Sequence, residues 1–257
     1  MTGAMPASAG APPFPGGTSV SHLRVYDWPT SDGAGLAGGG TPHLHTASSE
    51  GYVVLAGAGS VQTLSSLGFA ETTLVPGVLV WFTPGVVHRL VNDGGLEILA
   101  VMSNSGLPEA GDAVLTFPVE VLDDVGRYRQ AAALPAPGPR PGHEDADDDV
   151  VAAAVRTRRD LAVEGFATLR ERLEHEGPAG LDDLYTAAGR LVADRVPRWR
   201  ELWSASVLTQ TAATAQALAG LAEGNAQHLA QSAVGSAAAR PGPRRYGMCG
   251  RLQTWAL

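Results

Sequence analysis

The chain changes texture once, near Val150, and that change limits what it can fold into. From about residue 20 to 118, short apolar and β-branched runs alternate with glycine and proline; Gly51-Tyr52-Val53-Val54-Leu55-Ala56-Gly57 is one of them. Beyond Val150, alanine, leucine, arginine and glutamate dominate. Short runs with regular turn residues predict an all-β sandwich or small barrel. The later texture predicts helices, giving α+β overall. Strands are expected over 23–26, 43–46, 51–56, 60–64, 69–75, 78–82, 88–92 and 96–103.

In the second half Val151, Val155, Ala162, Phe166, Leu169 and Leu173 recur at helical spacing, and Gly177-Pro178 ends that helix. A second helix is expected over 181–196, broken or kinked by Pro197. A third is expected over 206–221 and a weaker fourth over 225–234. Trp199, Leu202 and Trp203 continue an apolar stripe. The predicted organisation is a disordered start (1–19), a barrel (20–118), a connector (119–149), a helical region (150–236) and a tail (237–257). The connector holds a short helix near Val121 and Tyr128, a proline-rich linker over 134–142 and an acidic run over 144–149. The tail carries aromatics where chain ends are usually disordered. Its alternation of Leu252, Thr254 and Ala256 predicts an extra strand on the barrel or on a partner.

Within the barrel region four residues carry chemistry. His43 and His45 lie two apart, so on a strand both side chains point to one face. Glu50 opens the next run, and a short turn at Ala47-Ser48-Ser49 brings its carboxylate back towards the two imidazoles. His88 follows the turn signal Pro84-Gly85 and arrives from a separate strand. Three imidazoles and a carboxylate form a mixed nitrogen and oxygen set that suits one divalent transition metal, such as Fe, Mn, Ni or Zn. Four protein ligands leave an octahedral metal two open positions.

Around this set, Tyr52 shares the inward face with Glu50, either to relay a proton or position substrate, or to fill space. Trp81 and Thr83 share a face leading to His88, with Trp81 as core or pocket wall. Arg89 points away from the site, and Asn92 pins a turn. No further inward Asp or Glu stands out as a general base. Glu50 and Tyr52 are therefore the candidate catalytic residues. His175 and His228 are isolated and read as exposed or capping residues.

The stretch with His43, His45, Glu50 and Gly57, followed by the stretch with Gly77, Gly85, His88 and Asn92, resembles the two motifs of the cupin superfamily. Two turn positions depart from the family pattern. Ala37 stands where the family has glycine, and Thr83 stands where it has proline, with Pro84 next to it. The resemblance covers roughly residues 20 to 118. It implies a jelly-roll barrel whose metal is held by His43, His45, Glu50 and His88, and association as a homodimer. It also implies isomerase, epimerase, dioxygenase, decarboxylase or lyase chemistry on small molecules.

Composition removes several other classes. The 257 residues include no lysine; all eighteen basic residues are arginine. That excludes a lysine Schiff base and a phosphate-binding P-loop, which ends in lysine. A net charge of -8 argues against nucleic acid as a partner. One cysteine, Cys249, cannot form an intrachain disulfide and reads as structural. No stretch has the apolar length of a membrane span, and the start lacks the features of a signal peptide, so a cytoplasmic protein is expected. Two functions fit these residues. One is a metal-dependent enzyme acting on a small oxygenated molecule, of the isomerase, epimerase or dioxygenase type. The other is a non-catalytic module that binds or senses a small molecule, with the helices serving oligomerisation.

Overall fold

The structure, a computed structural model, describes residues 12–136 and 149–256. The expected start up to residue 11, most of the proline-rich linker and nearly all of the acidic run lie outside the described residues.

Among the described residues ten strands form one antiparallel sheet that wraps into a barrel: β1 (Ser19–Val25), β2 (Gly38–Gly39), β3 (His43–His45), β4 (Glu50–Ser65), β5 (Gly68–Leu74), β6 (Leu79–Phe82), β7 (Val87–Met102), β8 (Ala113–Leu115), β9 (Arg245–Tyr246) and β10 (Gly250–Thr254). The main path runs β5-β4-β7-β1-β10-β9, with β2, β3, β6 and β8 branching from it. The runs expected over 51–56 and 60–64 are one strand, β4, and those over 88–92 and 96–103 are one strand, β7. The two bend together through irregular register between Val54 and Gly59. At the bend Gly57 has φ +74°, and a β-carbon there would lie 2.1 Å from the Gly95 carbonyl oxygen. These glycines turn two paired strands around a corner instead of ending them. Asn92 holds the corner: its side-chain oxygen accepts from Gly94 N and Leu96 N, and its amide donates to the Val25 and Tyr26 carbonyls.

The helices are α1 (Val119–Leu122), α2 (Val125–Ala132), α3 (Asp149–Glu176), α4 (Asp182–Val192), α5 (Val196–Trp203) and α6 (Thr209–Ala222). Pro197 sits in the first turn of α5, where its missing N–H costs nothing, so it starts a helix after the short turn at Ala193–Arg195. A π turn at Ser204–Leu208 carries α5 into α6. The fourth helix expected over 225–234 is a single 3-10 turn, Gln227–Gln231, with Leu229 exposed. Without an apolar face to bury, that segment gains too little to propagate a helix.

Barrel and helices share one core. Leu44, Val87 and Leu115 of the barrel pack with Tyr128, Phe166, Leu184 and Trp199 of the helices. The approach of α3 is close: a β-carbon on Gly165 would lie 1.9 Å from the Thr116 carbonyl oxygen, and Thr116 Oγ1 donates to the Ala162 carbonyl at 2.8 Å. Arg159 of α3 is fully buried and donates to the Trp28, Pro29 and Gly39 carbonyls. A guanidinium survives burial only when its donors are used in this way. The tail closes the edge of the sheet, with β10 antiparallel to β1 from Ser21↔Thr254 to Val25↔Gly250. Near the start, Gly17 N donates to the Gln210 side chain of α6 at 3.2 Å. Among the described residues no helix is long and apolar enough to cross a membrane.

Candidate metal centre

The site is assembled by register. β3 lies between β7 and β8, which pairs His43 with His88 on one side and His45 with Ala113 on the other. β4 begins at Glu50 and pairs it with Phe82 of β6 and Met102 of β7. His43, His45, Glu50 and His88 are buried, and one ligand atom from each lies within 4.8 Å of all the others. Glu50 Oε2 is 3.2 Å from His45 Nε2 and 3.1 Å from His88 Nε2.

Each imidazole is oriented from behind. Nδ1 of His43 lies 2.8 Å from the Thr41 carbonyl oxygen, Nδ1 of His88 lies 3.0 Å from that of Val86, and Nδ1 of His45 lies 2.7 Å from Asp112 Oδ1. Carbonyl and carboxylate oxygens only accept, so Nδ1 is the donor in all three rings. In the neutral ring this leaves Nε2 with a lone pair, turned towards the centre, as a metal requires. Glu50 Oε2 and His88 Nε2 are buried with no hydrogen-bond partner. Leaving such atoms unpaired costs about 1–3 kcal/mol each, and a cation between them would remove that cost. The donor set, its orientation and its two unpaired atoms fit a divalent metal.

The electrostatics separate the ligands. Burial, reinforced by the neighbouring imidazoles of His88 and His45, holds His43 well below the usual histidine range, so it is neutral and free to ligate. Burial also works against charge on His45, but the hydrogen bond to Asp112 and the adjoining Glu50 carboxylate outweigh it and push its pKa up to about 10, so a metal must displace a proton from this ring. Burial alone would raise Glu50; the close approach of the His45 and His88 imidazoles overcomes it, and the carboxyl stays well below the usual range, ionised. Tyr52 is fully buried, and burial with the charge of the Glu50 carboxylate drives it well above the usual tyrosine range.

Two sequence expectations need correction. Trp81 is 71% exposed on the outer face of the barrel. The register that pairs Glu50 with Phe82 turns Phe82 inwards instead, its ring 4.2 Å from that of His88. A buried carboxylate does stand beside the site. Asp112 is fully buried, holds His45 through Oδ1, and accepts from Ser48 N at 3.0 Å through Oδ2. Its position just before β8, the strand that flanks β3, is the signal that would have found it. Arg89 faces away from the site, paired with Asp32 at 2.6 Å and lying over Phe166 of α3. His175 is exposed and His228 half-buried, both on the helical side of the chain.

The site opens into a cavity of about 570 Å³. His43, His45 and Glu50 line its floor, and the tail residues Tyr246 to Cys249 form one wall. Tyr52 and His88 lie behind the floor and do not line the cavity.

Residues 35–102 match the family model of the cupin domain. No curated protein matches the chain. Among solved structures, it is similar to an uncharacterised conserved protein with a double-stranded β-helix domain from Klebsiella pneumoniae, at 17% identity over 35% of this chain and 68% of that one, with a TM-score of 0.26. It is similar to a cupin-2 domain containing protein from Shewanella frigidimarina at 16% identity over 33% of this chain and 69% of that one, with a TM-score of 0.26. A TDP-quinovose 3,4-ketoisomerase from Campylobacter jejuni is similar at 12% identity over 33% of this chain and 60% of that one, with a TM-score of 0.28. The motif residues, the barrel built around them and the family match lead to one identification: residues 35–102 are a cupin domain, and a helical region follows it in the chain.

Proposed function

We propose that this protein is a metal-dependent cupin enzyme acting on a small oxygenated molecule, by isomerase, epimerase or dioxygenase chemistry. The observation that carries the reading is the convergence of His43, His45, His88 and Glu50, with all three Nδ1 atoms tied back, at a cavity of about 570 Å³ whose floor is His43, His45 and Glu50. Such a volume suits a small molecule, for which sites run from about 300 to 1,000 Å³. A bound Fe, Mn, Ni or Zn ion would act there as a Lewis acid or as a centre for O2 chemistry. Glu50 is the ionised group best placed to accept a proton from a molecule in the cavity. Tyr52 is buried on the same face as Glu50 and either relays a proton or fills the space behind that carboxylate. Phe82 and the buried wall around His88 keep water from the rear of the site.

The test is elemental analysis of protein purified without added metal, with a His45→Ala variant beside it. Near-stoichiometric Fe, Mn or Ni that is lost in a folded variant supports the reading. Absence of metal from both, with no change in melting temperature when metals are added, moves the assignment to a binding or sensing module.

We further propose a cytoplasmic homodimer with a small-molecule ligand and no nucleic-acid partner. One surface supports the dimer. Trp81 and Leu79 are exposed and continue across the register into Val53, Leu99 and Val101, an apolar stretch of the outer sheet face spanning β6, β4 and β7. A second copy of the chain is the occupant that the cupin resemblance implies. A Trp81→Arg, Leu79→Arg variant that runs at the same mass as the parent in light scattering would remove that assignment.

A further inference from the structure

The cavity above the metal centre has two chemically different ends. Its floor is His43, His45 and Glu50, all buried. Its mouth carries Arg240 and Arg245, both exposed. The backbone of the tail fixes both. Arg240 N donates to the Thr254 carbonyl at 2.8 Å, and Arg245 pairs with Leu252 across β9 and β10. Neither guanidinium makes a hydrogen bond or ion pair with any described residue. Elsewhere Arg129, Arg170 and Arg198, also exposed, each pair with a carboxylate.

A third arginine lines the same cavity from α3. Arg158 is 7% exposed, donates to the Gly247 carbonyl at 3.0 Å, and keeps a buried Nε without a partner. Apart from Glu50, the only acid among the described residues of the lining is Glu109, whose Oε2 accepts from Gly106 N at 2.9 Å. In a chain of net charge -8, the wall of this one cavity is cationic. Guanidinium groups recognise planar or tetrahedral oxyanions with paired hydrogen bonds.

We propose that the cavity takes a small organic anion whose carboxylate or phosphate is held at the mouth by Arg240 and Arg245, with its uncharged end lying over His43, His45 and Glu50. The tail is then part of the ligand site. The proposal rests on the metal-centre reading only for where the reacting end lies, and the charged end is argued from the arginines alone.

The test is calorimetric titration of the full chain with gluconate, glucose 6-phosphate and glucose. At least one anion should bind saturably at millimolar concentration, weaken as salt is raised, and outbind glucose. The carboxylate and phosphate arms tell the two charged groups apart. An Arg240→Gln, Arg245→Gln variant with an unchanged melting temperature should bind that anion about tenfold more weakly, or worse. Equal affinity in the variant, equal binding of glucose, or no saturable binding of either anion overturns the proposal. The titration is repeated with His45→Ala. Binding that is lost there but kept in the arginine variant places the anion on the metal, which also overturns it. Metal content of the same parent sample reports separately on the metal-centre reading: a metal-free parent that binds anion through the arginines sinks that reading and leaves this one standing.

Discussion

Asp112 takes hold of His45 from behind, Oδ1 lying 2.7 Å from Nδ1, while its second oxygen is tied to Ser48 N at 3.0 Å. The carboxylate thus fixes both the orientation of the ring and the turn that returns Glu50 to the site. Partners of this kind typically contribute 10–100-fold, as an order of magnitude, to metal affinity. An Asp112→Asn variant should therefore bind divalent metal about 10–100-fold more weakly in a chelator competition, with the barrel still folded by circular dichroism. Unchanged affinity would reduce Asp112 to a structural residue of its loop.

Metal should also stabilise the fold, because the four ligands come from β3, β4 and β7. A ligand at about a hundred times its Kd adds ~2.7 kcal/mol, roughly 5–10 °C in melting temperature for a chain of this size. Chelation should lower the melting temperature of the purified protein by about that much, and metal should restore it. A His43→Ala variant should show neither response. A parent protein indifferent to both treatments would contradict the site.

Cys249 offers a test by pH. Burial, with the nearby charge of Glu50, pushes its thiol up from 9.0 to about 12. The folded state therefore holds this proton more tightly than the unfolded state does. The associated stability is complete below pH 9.0 and is lost as pH rises from there towards about 12. At pH about 8 a thiol reagent should leave the native protein unlabelled and label one site per chain in denaturant. Rapid labelling of the native protein would show that the tail does not bury Cys249 in solution.

Gly165 is the position where α3 meets the barrel backbone. Any side chain there must displace Thr116 and Phe117, since its first carbon would fall 1.9 Å from the Thr116 carbonyl oxygen. Gly165→Val should cost about 2–3 kcal/mol in urea unfolding. A neutral outcome would mean that the helix can slide on the barrel.

The metal ligands were legible because His43, His45, Glu50 and His88 sit in two short motifs whose spacing survives in one dimension. The alternation of strands and the switch to helices were legible for the same reason. Four features were not. Gly57, Gly94 and Gly95 look like strand ends in sequence, and only their pairing across β4 and β7 shows a corner. Trp81 and Phe82 differ by one residue, so their faces depend on a register that no local pattern fixes. Asp112 meets His45 through the β3–β8 pairing, across 67 positions of chain. Arg240 and Arg245 reach the cavity only because β10 finds β1.

That last pairing has a consequence for the order of events during synthesis. β1 and its β10 neighbour are separated by more than two hundred residues, as the bond from Arg244 to His22 across 222 positions illustrates. Closing so long a loop costs little more entropy than closing a shorter one, but contacts this distant form slowly. Until Thr254 has left the ribosome, β1 keeps an open edge of the kind that invites other chains. Metal competence and ligand competence would then be acquired at different moments, because His43, His45, Glu50 and His88 and the supporting Asp112 are all in place by the end of β8, whereas the mouth waits for the final strand.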